Sequence, residues 1–400
     1  MKLEKILNYQ KGKSPKKEDS SDKLVLYLTP EYLRGKSKPN FVSDFTTKVE
    51  VEDDDLLLLW DGSNAGEFFK AKKGILSSTM VKFNFDENEF NREFLYYQLK
   101  GFENYLKTQT NGSGIPHVDR EILLGLEVQE FDDEEQNRIA EILSTADASI
   151  AETERLIAKY QRIKTGLMQD LLTRGIDENG NIRSKSTHKF VIKNGIEVPE
   201  DWEVDIVNNT CDVTKLAGFE FTKYFDYSVG GEIIALRALN IKNEELRLKN
   251  IQTIPKKVSD QLIRSKINKG DILITYIGAY IGDVLLINES DKYHLAPNIA
   301  KITSGKRLIP KFLEILLRGY SVQNQFKNLT VTTATPSLTM KQIRETLLTF
   351  PQNTEEQKRI VNFMNSLNKN IKAETSKLSK LYLLKKGLMQ DLLSGKKRVV

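Results

Sequence analysis

The sequence has one cysteine, Cys211, among 400 residues, which excludes an internal disulfide framework. A chain without disulfides suits the reducing cytoplasm, and residues 1–13 lack the apolar core of a signal peptide. No apolar run approaches the length of a membrane span, since the longest, Leu56–Trp60, has only the length of a strand. We therefore expect a cytoplasmic protein.

The sequence also lacks the residue patterns of an active site. Its three histidines, His117, His188 and His294, are scattered, and none stands at a metal-binding spacing from the cysteine. The Gly-Lys-Ser triplets at 12–14 and 35–37 lack the upstream glycine of a phosphate loop. A glycine fingerprint for a dinucleotide or methyl donor is absent, as is the Asn-Pro-Pro-aromatic segment of amino-methyltransferases. We predict no catalytic residue, no metal site and no cofactor in this chain.

A long segment occurs twice in the chain. Residues 134–172 and 355–393 align at an offset of 221, both begin with Glu-Glu-Gln, and both end with Gly-Leu-Met-Gln-Asp-Leu-Leu. Each copy carries a stripe of mostly apolar residues spaced three or four apart, with no proline inside. The predicted core positions are Ile139, Ile142, Ala146, Ile150, Ile157, Tyr160, Leu167 and Leu171 in the first copy, and Ile360, Phe363, Leu367, Ile371, Leu378, Leu381, Leu388 and Leu392 in the second.

The stripes predict two helices, at 133–172 and 355–395, each about 60 Å long at about 1.5 Å per residue. Residues 133–172 hold 5 basic and 8 acidic side chains, whereas residues 355–395 hold 8 basic and 4 acidic ones. Opposite net charge favours pairing of the two copies with each other. We expect an antiparallel two-helix coiled coil. The alternative is two unrelated amphipathic helices, each lying on its own domain.

Two weakly related globular units accompany these helices, at 1–132 and 201–354, with a linker at 173–200. The spacing Asp55-x6-Gly62-x3-Gly66 returns as Asp271-x6-Gly278-x3-Gly282. Alternation and turn residues predict strands at 25–28, 48–51, 56–60, 80–85, 122–128, 233–236, 271–274, 283–287 and 299–302, and helices at 90–106 and 310–318. The predicted fold is α+β: two mixed α/β units, an antiparallel coiled coil, and a pseudo-two-fold internal repeat.

Loops of both units carry side chains suited to nucleic acid. Arg and Lys can read guanine, Asn and Gln can read adenine, and threonine methyls can contact thymine. For any single residue an ordinary solvated loop explains the side chain equally well. The candidate DNA-binding residues are Lys13, Lys16, Lys17, Arg34, Lys36, Lys38, Ser63, Asn64, Lys70, Lys72, Lys73, Asn111 and Ser113 in the first unit, and Lys215, Lys223, Arg237, Asn240, Tyr276, Tyr280, Thr332 and Thr333 in the second.

Charge and geometry limit how such a protein would bind DNA. A net charge of +5 is low for a protein that holds DNA alone by neutralising phosphates, so partners would supply further contacts. Two related units held by a rigid pair of helices would read two half-sites, as dimer geometry sets half-site spacing in two-fold readers. Because the units are not identical, the site would be asymmetric.

The chain resembles the specificity subunits of Type I restriction–modification systems. The resemblance is carried by EEQNRIAEIL and EEQKRIVNFM at the starts of the helices, GLMQDLL at both ends, ENGNIR and HKF in the linker, and GIEVPEDWEV at 195–204. It covers essentially the whole chain. One departure is that the first unit lacks a VPEDW-like lead-in.

This resemblance implies a non-catalytic subunit with two target recognition domains, each reading half of a bipartite site in double-stranded DNA. The paired helices would act as a spacer and bind two methyltransferase (modification) subunits. S-adenosylmethionine, ATP and Mg would be bound by partner subunits, including restriction/translocase subunits when present. Two alternatives stay open: a coiled-coil scaffold with two protein-binding heads, and a solitary DNA-binding regulator.

Overall fold

A computed structural model describes residues 1–15, 23–111, 114–227, 230–242, 245–330 and 337–399. The chain divides into two compact units. Unit 1 comprises Met1–Leu156 and Glu374–Val400, and unit 2 comprises Ile157–Ala373. The division falls inside both long helices, so each unit includes part of each helix.

Unit 1 is built on two four-stranded sheets. One has the strand order β1-β8-β5-β6 and the other β3-β2-β7-β4, in which β2 and β7 are parallel and the remaining pairs antiparallel. The strands are β1 Asn8–Lys11, β2 Leu24–Leu28, β3 Asn40–Ser43, β4 Glu50–Val51, β5 Leu56–Leu59, β6 Phe68–Lys70, β7 Gly74–Leu76 and β8 Met80–Asn84. The helices are α1 Pro30–Leu33, α2 Arg92–Gly101, α3 Glu103–Thr108, α4 Arg120–Gly125 and the long α5 Asp133–Thr173, with a 3-10 turn at Leu3–Lys5.

Unit 2 repeats this arrangement with sheets β12-β21-β18-β19 and β16-β13-β20-β17, the second again containing one parallel pair. Three two-stranded sheets, β9-β10, β11-β22 and β14-β15, are added. The strands are β9 Phe190–Lys193, β10 Ile196–Pro199, β11 Trp202–Ile206, β12 Cys211–Lys215, β13 Ile233–Leu236, β14 Ile241–Lys242, β15 Glu245–Leu246, β16 Gln252–Ile254, β17 Lys266–Ile267, β18 Ile272–Thr275, β19 Val284–Leu286, β20 Tyr293–Leu295, β21 Ile299–Ser304 and β22 Leu347–Pro351. The helices are α6 Val207–Thr210, α7 Gly218–Tyr224, α8 Lys256–Gln261, α9 Pro310–Arg318, α10 Tyr320–Thr330, α11 Met340–Glu345 and α12 Thr354–Leu393, with 3-10 turns at Ala238–Asn240 and Ile263–Ser265.

A buried aspartate explains why the Asp-x6-Gly-x3-Gly spacing occurs in both units. The Asp55 carboxylate accepts the Glu52 N–H at 2.8 Å and pairs with Lys82 on the neighbouring strand at 2.6 Å. Asp271 likewise accepts the backbone N–H three residues upstream at 2.8 Å and pairs with Lys301 on the neighbouring strand at 3.5 Å. In both units the carboxylate therefore fixes the turn that leads into the central strand.

The two long helices pack antiparallel, as predicted. In unit 1 the start of α5 and the end of α12 share one hydrophobic core that contains Ile139, Leu143 and Leu392. Lys385 of α12 also pairs with Asp147 of α5 at 2.5 Å. In unit 2 the end of α5 and the start of α12 share another core, to which the helices contribute Leu171, Leu172, Ile360, Val361 and Met364. No helix among the described residues is long and apolar enough to span a membrane.

The predicted stripe is most buried where the cores of the units reach the helices. Ile139, Ile150, Leu171, Ile360, Leu367 and Leu392 are buried, whereas Ile142, Ala146, Ile157, Tyr160, Leu167, Ile371, Leu378, Leu381 and Leu388 are half-buried. Phe363 departs from the prediction because it is 40% exposed. The core of unit 2 takes up Val361 and Met364 instead, so the buried face at this end is rotated away from the heptad stripe.

One further prediction was wrong, and another segment has more structure than expected. Residues 122–128 were expected to form a strand, but α4 covers most of this segment. The Asp119 side chain caps this helix, because it accepts the Glu121 and Ile122 N–H groups at 2.8 and 3.1 Å. The predicted linker at 173–200 contains the hairpin β9-β10. Its turn, Asn194-Gly195, has φ values of 50° and 76°, which suits a tight two-residue hairpin turn.

Candidate nucleic-acid interface

A tight turn between β5 and β6 presents two predicted DNA-binding residues of unit 1. Gly62 and Gly66 begin and end the turn with φ values of 121° and 99°, in the left-handed region that favours glycine. Ser63 and Asn64 lie exposed at its tip. The Gly62 N–H donates to the Pro116 carbonyl at 2.8 Å, so the loop before α4 lies directly against the turn.

That loop contributes a third predicted residue, Asn111. Asn111 and His117 exchange backbone hydrogen bonds of 3.0 and 2.8 Å, and the Asn111 amide donates to Asp119 at 2.5 Å. Backbone N–H groups at the start of α4, first that of Ile122, hold the pKa of Asp119 below its usual value. Turn and loop therefore form one surface of fixed shape with amide and hydroxyl groups, the groups that read base edges.

A lysine of β1 borders this surface. Lys11 pairs with Asp61 at 2.7 Å, just before the turn. Lys13 is exposed, and its carbonyl accepts the Tyr27 hydroxyl at 3.3 Å. Trp60, which the sequence analysis did not single out, stacks on Tyr9 with the ring centroids 5.0 Å apart. Its carbonyl accepts the N–H of residue 118 in the loop at 2.9 Å.

The other basic candidates of unit 1 make local contacts. Arg34 donates to Glu67 at 3.0 Å, and this bond raises the pKa of its guanidinium. Of the others, Lys70 pairs with Glu93, Lys73 pairs with Glu52 at 2.9 Å, and Lys72 lies 5.5 Å from the Tyr32 ring, while Lys36 and Lys38 are exposed in the loop after α1. Arg34 is the candidate most fully engaged within the unit, because its side chain is only 15% exposed.

Unit 2 builds the same surface with different side chains. Gly278 and Gly282, with φ values of 115° and 85°, flank the turn between β18 and β19. The Leu338 N–H donates to the Tyr276 carbonyl at 2.8 Å, repeating the contact between residue 118 and Trp60 of unit 1. The turn carries Tyr280, whose hydroxyl accepts a 2.9 Å bond from Lys242.

A cleft of about 510 Å³ opens beside this turn. Its lining includes Val213, Lys215, Arg264, Tyr276, Leu338 and Arg344. The Lys215 ammonium lies 5.8 Å from the Tyr276 ring, and burial raises the pKa of the tyrosine hydroxyl. Arg344 donates to the Val213 carbonyl at 2.9 Å. Three cationic side chains therefore line one cleft, which fits a phosphate-bearing ligand.

Lys215 and Lys11 occupy equivalent places in the two units. Lys11 pairs with Val81 on the neighbouring strand, and Lys215 pairs with Ala300 on the corresponding strand of unit 2. Trp60 and Tyr276 are also equivalent, because each directly follows the central strand of its sheet, β5 in unit 1 and β18 in unit 2. An insertion conceals the equivalence of the two lysines in the sequence, whereas Trp60 and Tyr276 have the same offset as the repeated Asp-x6-Gly-x3-Gly spacing. Arg264 and Arg344 were missed because only the fold brings their segments to the cleft.

The remaining candidates of unit 2 lie elsewhere. The Lys223 ammonium lies 5.0 Å from the Tyr224 ring. Asn240 is fully buried, and its amide accepts the Arg237 N–H at 3.0 Å and donates to the Arg247 carbonyl at 2.7 Å, which gives it a structural role. Five candidates predicted from the sequence lie outside the described residues: Lys16, Lys17, Ser113, Thr332 and Thr333.

Within the described ranges, no group of three or more His, Cys, Asp or Glu side chains is arranged to hold a metal ion. The only cysteine, Cys211, is buried, and burial raises the pKa of its thiol. A buried thiol with a raised pKa is a poor nucleophile.

Comparison with known proteins decides the family. The sequence model described as Type I restriction modification DNA specificity domain matches residues 1–162 and 199–382. The chain belongs to this family. It is 31% identical to the MjaVIII specificity subunit of a type I restriction enzyme from Methanocaldococcus jannaschii, across 98% of this chain and 91% of that protein. The EcoBI specificity subunit of Escherichia coli is 24% identical, across 91% and 78%.

Solved structures agree on the fold of this family member. The S subunit of a Type I restriction–modification system from M. genitalium matches with a TM-score of 0.60 at 15% identity, across 98% of this chain and 95% of that one. A chain from a study of type I complex assembly matches with a TM-score of 0.58 at 15% identity, across 98% and 96%. The chain is thus a DNA specificity subunit of the type I class, and the scaffold and solitary-regulator alternatives are not favoured.

Proposed function

We propose that this chain is a non-catalytic subunit that reads an asymmetric bipartite DNA site, with one half-site read by each unit. The observation that carries the proposal is that both units build the same strand–turn–loop surface with different side chains. Unit 1 presents Ser63 and Asn64 on the turn, whereas unit 2 presents Ala279 and Tyr280 at the corresponding turn. Equal backbone surfaces with unequal side chains suit two different half-sites.

Cations at these surfaces give the chain a share of the phosphate contacts. Lys11 borders the surface of unit 1, Lys13 is exposed two residues further on, and Lys215, Arg264 and Arg344 line the cleft of unit 2. Neutralising about five phosphates gives a salt dependence of about −4 to −5 in log–log slope. Partner subunits would add further contacts in the complete complex.

The long helices would bind two methyltransferase subunits. On α12 of unit 1, Leu383 and Leu384 are 71% and 55% exposed, beside the 50% exposed Tyr382. A run of exposed apolar side chains is typical of a surface that binds another protein. S-adenosylmethionine would be bound by these subunits, and ATP and Mg by restriction/translocase subunits, all in the cytoplasm.

The test is to change one turn and map the methylated sites. The chain carrying Ser63→Ala and Asn64→Ala, co-expressed with its methyltransferase subunit, should methylate DNA with one half-site relaxed and the other unchanged. Ser186→Ala, an exposed residue before the hairpin β9-β10, is the matched control and should leave both half-sites unchanged. Unchanged specificity of the turn variant, or relaxation of both half-sites together, would contradict the proposal.

A further inference from the structure

Two exposed apolar side chains stand close in sequence to residues that line the unit 2 cleft. Phe219 is 69% exposed, and Ile263 is 74% exposed. Each stands within two residues of a residue that lines the cleft, Ala217 for the first and Arg264 for the second. Single exposed apolar residues are common on protein surfaces, so their position has to carry the argument.

The segments that bear them are tied together by one carboxylate. Glu220 accepts the Ala217 N–H at 2.9 Å and the Arg264 guanidinium at 3.2 Å through the same oxygen, Oε2. The start of α7 and the 3-10 turn at 263–265 are therefore held to each other at the edge of the cleft. Side chains on segments fixed in this way lose little conformational entropy when they bind.

Unit 1 also has an exposed apolar side chain beside its turn. Ile115 is 69% exposed and directly precedes Pro116, whose carbonyl accepts the Gly62 N–H of the β5-β6 turn at 2.8 Å. Both units thus place exposed apolar groups next to polar and cationic groups. In the major groove of DNA, the apolar feature that distinguishes one base from another is the 5-methyl group of thymine.

We infer that Phe219 and Ile263 are specificity-determining residues that contact thymine methyl groups in the half-site read by unit 2. The inference rests on the proposed function. Lys215 and its neighbouring cations would hold the phosphates, while the apolar pair would distinguish thymine from the other bases. Phosphate contacts position a protein on DNA and base contacts specify the sequence, so the two roles are separable.

Deoxyuridine tests the contact directly, because it lacks only the methyl group. The complex of the chain with its methyltransferase subunits is titrated, by fluorescence anisotropy, with duplexes in which each thymine of the mapped site is replaced in turn. For the wild-type chain we expect a loss of about four-fold in affinity at one or more thymines of one half-site, which corresponds to about 0.8 kcal/mol for a buried methyl group. Phe219→Ala or Ile263→Ala should abolish that loss.

Ile192→Ala is the control, because Ile192 lies on the hairpin strand β9 and is 76% exposed. It should retain the deoxyuridine effect of the wild-type chain. All three substitutions remove exposed side chains, so the unfolding midpoint should not change. A deoxyuridine effect of equal size in the Phe219 and Ile263 variants, or none at any thymine with the wild-type chain, would overturn the inference.

Lys215→Ala separates this inference from the proposed function. If unit 2 binds DNA, this variant should weaken binding to all sequences by a similar factor and reduce the salt slope by about 1. If Lys215→Ala and Phe219→Ala both bind as the wild type does, the DNA-reading role of unit 2 fails. If only the lysine variant is affected, the proposed function stands and the thymine contact is refuted.

Discussion

Two equivalent ion pairs of different burial allow the energetics of the fold to be tested within one chain. In unit 2, Arg183 donates to Glu356 at 2.6 Å, with the arginine side chain 10% exposed and the carboxylate fully buried. In unit 1, Arg398 donates to Glu135 at 2.6 Å, but this arginine is 59% exposed. Glu135 and Glu356 correspond in the repeated segment. We therefore predict unequal effects when each arginine is replaced by methionine.

Arg183→Met leaves a buried carboxylate without its cation, which costs about 3–5 kcal/mol. The Ile176 N–H still donates to Glu356 at 2.9 Å, which places the expected loss near the lower end of that range. Glu135 is itself only 5% exposed, but Arg398 is 59% exposed, so Arg398→Met opens the carboxylate to water and the loss should be much smaller. Hydrogen exchange measured by peptide reports each unit separately, and urea unfolding gives the overall change.

The loss in Arg183→Met should also depend on pH. Burial raises the pKa of Glu356 above its usual 4.5, so the folded protein takes up a proton more readily than the unfolded chain. The stability linked to this group is present below about pH 4.5 and decreases as pH rises through the folded pKa. The loss of stability in Arg183→Met should therefore be smaller at pH 5 than at pH 7. Adding Glu356→Gln to this variant should recover part of the lost stability. Equal losses in both arginine variants, or a deficit independent of pH, would refute this reasoning.

Three further predictions concern the turns and helices. Gly175→Ala should destabilise unit 2 by at least about 3 kcal/mol in urea unfolding, because its φ is +77° and the added Cβ would lie 2.2 Å from a buried carboxylate oxygen. Gly395 has a similar φ of +69°, but no atom lies closer than 3.7 Å to its added Cβ, so Gly395→Ala should cost only about 1–2 kcal/mol. Acid should loosen α4. Because the pKa of Asp119 lies below its usual 3.8, the contribution of its cap is fully present above about pH 3.8 and is lost as pH falls through the lower pKa of the folded protein, and Asp119→Asn should remove this pH dependence of hydrogen exchange in α4. Ile150→Asp places a charge at a 5% exposed site, so it should cost about 3 kcal/mol of stability and prevent assembly with the methyltransferase subunits, as measured by gel filtration. Ile371 is half-buried, so Ile371→Asp should cost less. Normal assembly of both variants would count against the helix pairing.

The helices were predictable because their signal is local and long. The period of the apolar stripe extends over some 40 residues, and the identical GLMQDLL segment defines the end of each copy. Even so, Phe363 lies outside the buried face, because the core of unit 2, and not the heptad pattern alone, decides which side of α12 is covered. Periodicity gives the element, and tertiary packing gives the face.

The short elements and the site were less predictable. Residues 122–128 are rich in apolar residues and were assigned to a strand, but the cap at Asp119 favours a helix, and a cap is decided by one side chain. Arg264 and Arg344 reach the cleft from segments 80 residues apart, so no spacing in the sequence indicates them. Asn240 has a suitable side chain for DNA, yet the backbone around it uses both of its hydrogen-bonding groups.

The repeated Glu-Glu-Gln sequence has a structural explanation that bears on how the units close. Gln136 accepts the Asn91 N–H at 2.8 Å in unit 1, and Gln357 accepts the Ile309 N–H at 2.9 Å in unit 2, each joining the start of a long helix to its own unit. The glutamate before each glutamine binds an arginine from the segment that follows the other long helix. Each unit is therefore completed by residues from both copies of the repeat. The two copies therefore share Glu-Glu-Gln because the same contacts join each long helix to its own unit, while the turns between the strands carry different side chains.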